Sequence, residues 1–232
     1  IDAHPAAVDH GAASGGWLRP VVFGVSDGLV SNLALVLGVA AGSASGSVVF
    51  LVGVSGLLAG AFSMAAGEWI SVQAHRETLE RELQMEAEHI RDYPEEEAEH
   101  MRQILAAAGL NKELVGHLIE DLAKRPEANF AFHARVELGI DPDAMDSPWV
   151  AAVSSFVAFA AGAFVPLVPW MLTEGPPAWA GSVGAGSLAL FAVGALLARY
   201  TVRAWWVSGV RQLSVGLLAA GVTTLIGYLM GG

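Results

Sequence analysis

Residues 47–92 read SVVFLVGVSGLLAGAFSMAAGEWISVQAHRETLERELQMEAEHIRD, and no proline interrupts them. The last glycine of this segment is Gly67, and the residues after it are mostly strong helix formers. We therefore predict one helix of about 45 residues, about 68 Å long at roughly 1.5 Å per residue. The hydrocarbon core of a bilayer is only about 30 Å thick, so the second half of this helix must project into water.

The chain combines strongly apolar segments with one highly charged segment. Of the 232 residues, 54% are hydrophobic and 15% are charged, whereas a soluble domain carries about 25% charged residues. Residues 73–147 hold 18 of the 23 acidic and 8 of the 12 basic residues, so we interpret them as a water-facing insert in a membrane protein. The net charge of −11 excludes general nucleic-acid binding. The absence of cysteine excludes disulfides, thiol catalysis and cysteine-based zinc sites.

The apolar segments predict an all-α membrane protein with five transmembrane helices and a three-helix cytoplasmic insert that continues from an extended second transmembrane helix. The spans are expected at about 20–42, in the first half of 47–92, and at 149–172, 178–199 and 207–230. Pro166 and Pro169 should break or bend the third span. Proline and glycine divide the insert into helices at about 95–108, 111–124 and 127–138.

This pattern predicts four regions along the chain. They are a flexible N-terminal tail that lacks signal-peptide features (1–18), the first two transmembrane helices (19–72), the cytoplasmic helical insert (73–147) and the last three transmembrane helices (148–232). All twelve basic residues fall on one side of such a topology: Arg19, the eight bases of the insert, and Arg199, Arg203 and Arg211. The positive-inside rule places that side in the cytoplasm, with the C-terminus outside.

Two ionisable residues, Asp27 and Glu68, lie inside predicted spans. Because placing an ionisable side chain within the bilayer costs free energy, such residues suggest a function. Met64, one helical turn from Glu68, offers a thioether as a soft metal ligand. A stripe with spacings of three and four continues along the same helix: Met64, Glu68, Ser71, His75, Leu79, Glu82, Glu86 and His89. This stripe of polar side chains suits a hydrated pathway for a cation. The alternatives are core packing for Met64, interfacial hydration for the two carboxylates, and a solvated helix face beyond residue 76.

Three carboxylate–imidazole pairs lie in the insert. Glu86-x-x-His89 and Glu97-x-x-His100 flank the bend at Pro94, and His133-x-x-x-Glu137 lies on the last insert helix, so these six residues are our predicted metal ligands. Paired Glu-x-x-His motifs are typical of carboxylate-bridged di-metal sites in helical bundles. Mixed oxygen and nitrogen ligands suit Fe²⁺, Mn²⁺ or Zn²⁺. The alternative is an acidic, solvated bundle with incidental histidines, which we favour for Glu113, His117 and Glu120.

Two long motifs, GVSDGLVSNLALVLGVAAG at 24–42 and GLLAGAFSMAAGEWISVQAHRETLERELQME at 56–86, resemble the vacuolar iron transporter family. The resemblance extends from Arg19 to the C-terminus. It implies a homodimer whose translocation path lies at the subunit interface, lined by the first two spans. It also implies export of Fe²⁺, and often Mn²⁺, from the cytosol in exchange for protons.

The resemblance also implies roles for individual residues. The pore aspartate and methionine of the family match Asp27 and Met64, and the glutamate of its bacterial-type GE[YW] motif matches Glu68. The insert glutamates match Glu86, Glu97 and Glu137. Where plant members have glutamate, this chain has His89 and His100, and where they have a Met-Met pair it has His133 and Ala134. These replacements put the metal preference in question and favour Zn²⁺ or Co²⁺ more than in the plant proteins.

We therefore expect a divalent-metal/proton antiporter of a bacterial inner membrane, a secondary transporter rather than an enzyme. Its substrate would be Fe²⁺ first, with Mn²⁺, Zn²⁺ or Co²⁺ as alternatives. Its partners would be a second copy and the lipid bilayer, with no organic cofactor and no nucleic acid. No Walker A, Gly-x-Ser-x-Gly or dinucleotide motif is present, which argues against ATP hydrolysis. Two other functions stay open: a membrane-anchored di-iron ferroxidase and a metal-gated channel.

Overall fold

The computed structural model describes residues 18–200 and 202–231 and is all-helical over these ranges. The tail predicted for residues 1–18 lies outside the described residues, apart from Leu18, where the first helix begins. The helices are α1 Leu18–Ala41, α2 Gly46–Asp92, α3 Pro94–Ala107, α4 Lys112–Leu122, α5 Pro126–Val136, α6 Pro148–Phe164, α7 Val168–Leu172, α8 Pro176–Leu197 and α9 Trp205–Gly231.

Five helical segments are long and apolar enough to cross a membrane, which confirms the predicted all-α membrane fold. They are Arg19–Ala41, Gly46–Asp92, Pro148–Leu172, Pro176–Leu197 and Trp205–Gly231. The second is a single helix of 47 residues, as the lack of proline predicted. It ends where Tyr93 leaves helical geometry, with φ −133° and ψ 53°, because a residue before proline is pushed out of the α region.

The chain divides into two compact units, one made of residues up to Ile70 together with those from Ser147 onwards, and one made of Ser71–Asp146. In the first unit α1 is the central helix and packs against α6, α8 and α9. Small residues permit this approach: a Cβ atom added at Gly28 would overlap the carbonyl oxygen of Phe159 in α6. Leu29, Leu33 and Val36 of α1 are fully buried in the resulting apolar core.

The third span is broken, as its prolines predicted. α6 ends at Phe164, the 3-10 turn Val165–Leu167 follows, and α7 completes the crossing. Pro166 has no N–H to donate within this turn. Neighbouring helices supply polar contacts there, since the buried Ser182 hydroxyl of α8 donates to the Pro166 carbonyl oxygen at 2.7 Å.

The second unit contains residues 71–92 of α2 together with α3, α4 and α5. Met101, Leu105, Val115 and Ile119 form the core between α3 and α4. α4 begins at Lys112 because the side chain of Asn111 caps it, accepting a hydrogen bond from the Glu113 N–H at 2.7 Å.

Candidate metal centre and membrane cavity

Glu86, Glu97, His133 and Glu137 converge in the second unit. One ligand atom from each lies within 4.8 Å of the others. The four residues come from α2, α3 and the end of α5, so the convergence depends on how these helices pack. His133 Nδ1 lies 2.8 Å from Glu86 Oε1 and 3.4 Å from Glu137 Oε2. We call these four residues the insert cluster.

The insert cluster is buried but incompletely paired. The side chains of His133 and Glu86 are 3% and 6% exposed. The buried oxygens Glu97 Oε2 and Glu137 Oε2 have no hydrogen-bond partner in the described part of the chain. A buried carboxylate oxygen without a donor costs free energy, and a bound cation removes that cost. The insert cluster therefore has the ligand atoms that a metal site needs, and two of its buried carboxylate oxygens lack a hydrogen-bond partner among the described residues.

Burial raises the pKa of Glu86 above the ordinary value of 4.5. The negative charges of Glu137 and Glu97 raise this pKa further, while His133 opposes the shift through its charge and its hydrogen bond. Three carboxyl groups thus share one poorly solvated space. A divalent cation placed among them would offset their mutual repulsion.

The other two predicted ligands, His89 and His100, lie at the rim of the cluster. Their side chains are 62% and 52% exposed. His89 Nδ1 is 3.6 Å from Glu97 Oε1, and His100 Nε2 is 3.1 Å from Glu137 Oε1. Three residues advance a helix by about 300°, which leaves His89 roughly 60° around α2 from Glu86 and closer to solvent.

A cavity of about 410 Å³ reaches the cluster at Glu97 and His133. Most of its other lining residues are apolar, including Met101 and Phe130, and Arg91 also lines it. The cavity therefore leaves free volume beside two of the four residues of the insert cluster.

A second polar site lies in the first unit, in a cavity of about 330 Å³ bordered by α1, α2 and α6. We call it the membrane cavity. Asp27 of α1 and Met64 of α2 both line it, so the structure brings these two predicted residues together. Ser31, which donates to the Asp27 backbone carbonyl at 2.6 Å, and Ser63 add hydroxyl groups to the lining.

The remaining members of the predicted stripe do not share one cavity. Glu68 is half-buried and Ser71 is exposed, and neither lines the membrane cavity. His75 and Glu82 border a separate cavity of about 350 Å³ in the second unit. The lining of that cavity also includes Asp141, which the sequence did not single out.

Sequence reasoning also missed Asn32, which lines the membrane cavity and is 2% exposed. The functional prediction for the spans rested on ionisable side chains, and the amide of Asn32 is neutral. The signal that could have found Asn32 is an amide in an otherwise apolar run, GLVSNLALV at 28–36.

Comparison with known proteins agrees with the resemblance seen in the two sequence motifs. The VIT family matches residues 18–228. Vacuolar iron transporter 1 of Oryza sativa subsp. japonica is 31% identical over 208 residues, which cover 89% of this chain and 82% of the relative. Vacuolar iron transporter 1 of Arabidopsis thaliana is 33% identical over 176 residues, 76% of this chain and 70% of the relative. A vacuolar iron transporter of Acanthamoeba castellanii is 28% identical over 219 residues, 92% of this chain and 78% of the relative. This chain therefore belongs to the VIT family.

Proposed function

We propose that this protein exports divalent metal cations from the cytosol in exchange for protons, with Fe²⁺ as the favoured substrate and Mn²⁺, Zn²⁺ or Co²⁺ as alternatives. The observation that carries the proposal is the membrane cavity, which both Asp27 and Met64 line between apolar spans. A carboxylate and a thioether together are ligands for a divalent transition metal. The relatives named vacuolar iron transporters point to the same class of cargo.

The insert cluster would capture the metal before it enters the membrane. Its three carboxylates and one imidazole suit Fe²⁺, Mn²⁺ or Zn²⁺ rather than a purely soft metal. The 18 acidic residues of 73–147 would raise the local concentration of cations around it. His89 and His100 would act from the rim, as first contacts or as residues that orient Glu97 and Glu137.

From the insert, the metal would move along α2 past Glu82, His75, Ser71 and Glu68 to the membrane cavity. α2 is one continuous helix from Gly46 to Asp92, so it offers side chains along this whole route. Protonation of Asp27 or Glu68 from the outer side would then release the metal and complete the exchange.

The exposure of Asp27 supports a homodimer. Asp27 belongs to an apolar span, yet it is exposed on the single chain. A carboxylate facing hydrocarbon is costly, so a second copy that covers this face would resolve the conflict and enclose the path. The distribution of Lys and Arg supports a cytoplasmic insert, and the Gly67-Glu68-Trp69 motif supports a bacterial inner membrane as the location.

Reconstitution into liposomes with a pH dye inside tests this function. Wild-type protein should take up Fe²⁺, Mn²⁺, Zn²⁺ or Co²⁺ down a gradient and move protons in the opposite direction. Asp27→Ala should abolish both fluxes, whereas Glu174→Ala, which removes a loop carboxylate, should preserve them. Uptake by Asp27→Ala at the wild-type rate would overturn the mechanism. Metal flux without proton movement would instead identify a metal-gated channel.

One observation favours a second function, a membrane-anchored ferroxidase. Carboxylates and an imidazole on packed helices are the ligands of di-iron centres, in which Fe²⁺ gives an electron to O₂. Such an enzyme would not need Asp27 within the membrane. An oxygen electrode separates the two functions, because a ferroxidase consumes O₂ on addition of Fe²⁺ and a transporter does not.

A further inference from the structure

Asn32 is an amide held in one orientation at the wall of the membrane cavity. Its Nδ2 group donates to the backbone carbonyl of Ala163 in α6 at 2.6 Å. In the 3-10 turn Val165–Leu167, the donor to that carbonyl would be residue 166, which is proline and has no N–H. The amide of Asn32 supplies the missing donor. A flipped amide would place two acceptors face to face, so Oδ1 must point away from Ala163.

The oxygen of this amide is buried without a partner. Asn32 is 2% exposed, and its Oδ1 has no hydrogen-bond donor within the described ranges 18–200 and 202–231. Oδ1 lies beside Gly56, since a Cβ atom added at Gly56 would be 3.3 Å from it. Gly56 and Asn32 both line the membrane cavity. A buried amide oxygen without a donor costs about 1–3 kcal/mol of folding free energy. A ligand bound in the membrane cavity would offset that cost.

We propose that Asn32 Oδ1 is a ligand of the transported cation in the membrane cavity, beside Asp27 and Met64. This inference rests on the transport function proposed above and adds a hard, neutral oxygen donor to it. Amide and backbone carbonyl oxygens bind hard divalent ions such as Mn²⁺, whereas a thioether favours softer ions. Asn32 therefore widens the range of cations that the cavity accepts toward the hard end.

The neutrality of Asn32 matters for release of the cation. Asp27 is the one ionisable side chain among the residues that line the membrane cavity. With a neutral amide as the second oxygen, Asp27 supplies all the negative charge that this chain contributes to the lining of the membrane cavity. A second carboxylate at position 32 would bind the cation more tightly and slow its release.

Initial rates of Mn²⁺ and Cd²⁺ uptake into liposomes test the proposal with Asn32→Leu, Asn32→Asp and Ser182→Ala. Ser182→Ala is the matched control, because Ser182 is a buried side chain that also donates to the broken third span but does not line the cavity. Asn32→Leu should raise KM for Mn²⁺ about tenfold, as expected for loss of a metal-site partner, and KM for Cd²⁺ less than about twofold. Ser182→Ala should leave the ratio of the two KM values unchanged.

The Asp variant separates a ligand from a merely structural residue, since it keeps the oxygen and loses the donor to Ala163. A ligand predicts a KM for Mn²⁺ at or below the wild-type value with a lower maximal rate. A structural role predicts equal losses for both ions in both variants, and that outcome overturns the proposal, as does a wild-type selectivity in Asn32→Leu. If Asn32→Leu does not fold, Asn32→Asp decides alone. If wild-type protein moves neither ion, the transport function itself fails, and this inference fails with it.

Discussion

His133 Nδ1 lies 2.8 Å from Glu86 Oε1, in a buried pair that joins residues 47 positions apart in the chain. The pair connects α2 to α5, and both side chains are almost inaccessible to solvent. When Glu86 is ionised, the imidazole donates Nδ1–H to it. We expect a cation bound between them to replace that proton, so that the pair forms either a hydrogen bond or part of a metal site.

Replacement of His133 should therefore weaken metal binding. We expect His133→Gln to lower the affinity of the protein for Mn²⁺ or Zn²⁺ by about 100-fold, since loss of a direct nitrogen ligand should cost at least as much as loss of a residue that orients one. Isothermal titration calorimetry in detergent measures this change. His117→Gln is the matched control, because His117 is exposed on α4 outside the cluster. Equal affinities for the two variants would contradict the assignment of His133 as a ligand.

Metal binding should also depend on pH through Glu86. Its raised pKa means that Glu86 holds a proton at a pH where a solvated carboxyl group has lost it. A cation must displace this proton, so the affinity should fall as the pH is lowered through that raised value. Titrations across a pH series should show a steeper fall for wild-type protein than for Glu86→Gln. If affinity fell equally with pH in both proteins, Glu86 would not be the group whose proton the cation displaces.

The same pKa shift predicts the stability of the protein without added metal. Between the ordinary value of 4.5 and the raised pKa, the folded state holds more protons on Glu86 than the unfolded chain does. Stability contributed by this group therefore increases as the pH falls through that window. The melting temperature of Glu86→Gln should exceed that of wild type at neutral pH, and the gap should narrow on acidification. A constant gap would show that Glu86 does not titrate differently on folding.

The two rim histidines should matter less for affinity than His133. Because His89 and His100 are more than half exposed and contact carboxylates of the insert cluster from outside, we expect His89→Ala and His100→Ala to weaken binding by about tenfold each, the low end of the range for residues that orient a metal ligand. Calorimetry under the same conditions as for His133→Gln makes the comparison direct. A loss at either position as large as that for His133→Gln would place that histidine among the ligands.

These residues show how far a helical pattern can locate a site. The spacing of Glu86 and His89 suggested a shared face, but three residues leave an offset of about 60° around the helix, and packing against α3 and α5 decides which of the two is buried. Glu86 is 6% exposed and His89 is 62% exposed. Periodicity alone gives no information on the depth of burial.

The fold was more predictable than the sites because its causes are local. The lack of proline before Asp92 predicts the length of α2, and Pro166 predicts the break in the third span. By contrast, the pairing of Asp27 with Met64 joins two helices and followed from the family resemblance. Asn32 escaped notice because its importance depends on a carbonyl 131 residues away.

Close packing of α1 on α6 should make the protein sensitive to added side-chain volume at Gly28. A Cβ atom at Gly28 would overlap the Phe159 carbonyl oxygen, and this contact is with backbone, which cannot rotate away as a side chain can. We expect Gly28→Ala to separate the two helices and to destabilise the protein by about 1–3 kcal/mol, the usual cost of overpacking. Thermal unfolding in detergent, followed by tryptophan fluorescence, measures the loss. Gly221→Ala is the control, since apart from its chain neighbours and the nearby backbone of α9 no atom in the described part of the chain lies within 4 Å of a Cβ there. An unchanged melting temperature for Gly28→Ala would mean that α1 and α6 can move apart freely, and the wall of the membrane cavity that they form with α2 would then be adjustable rather than fixed.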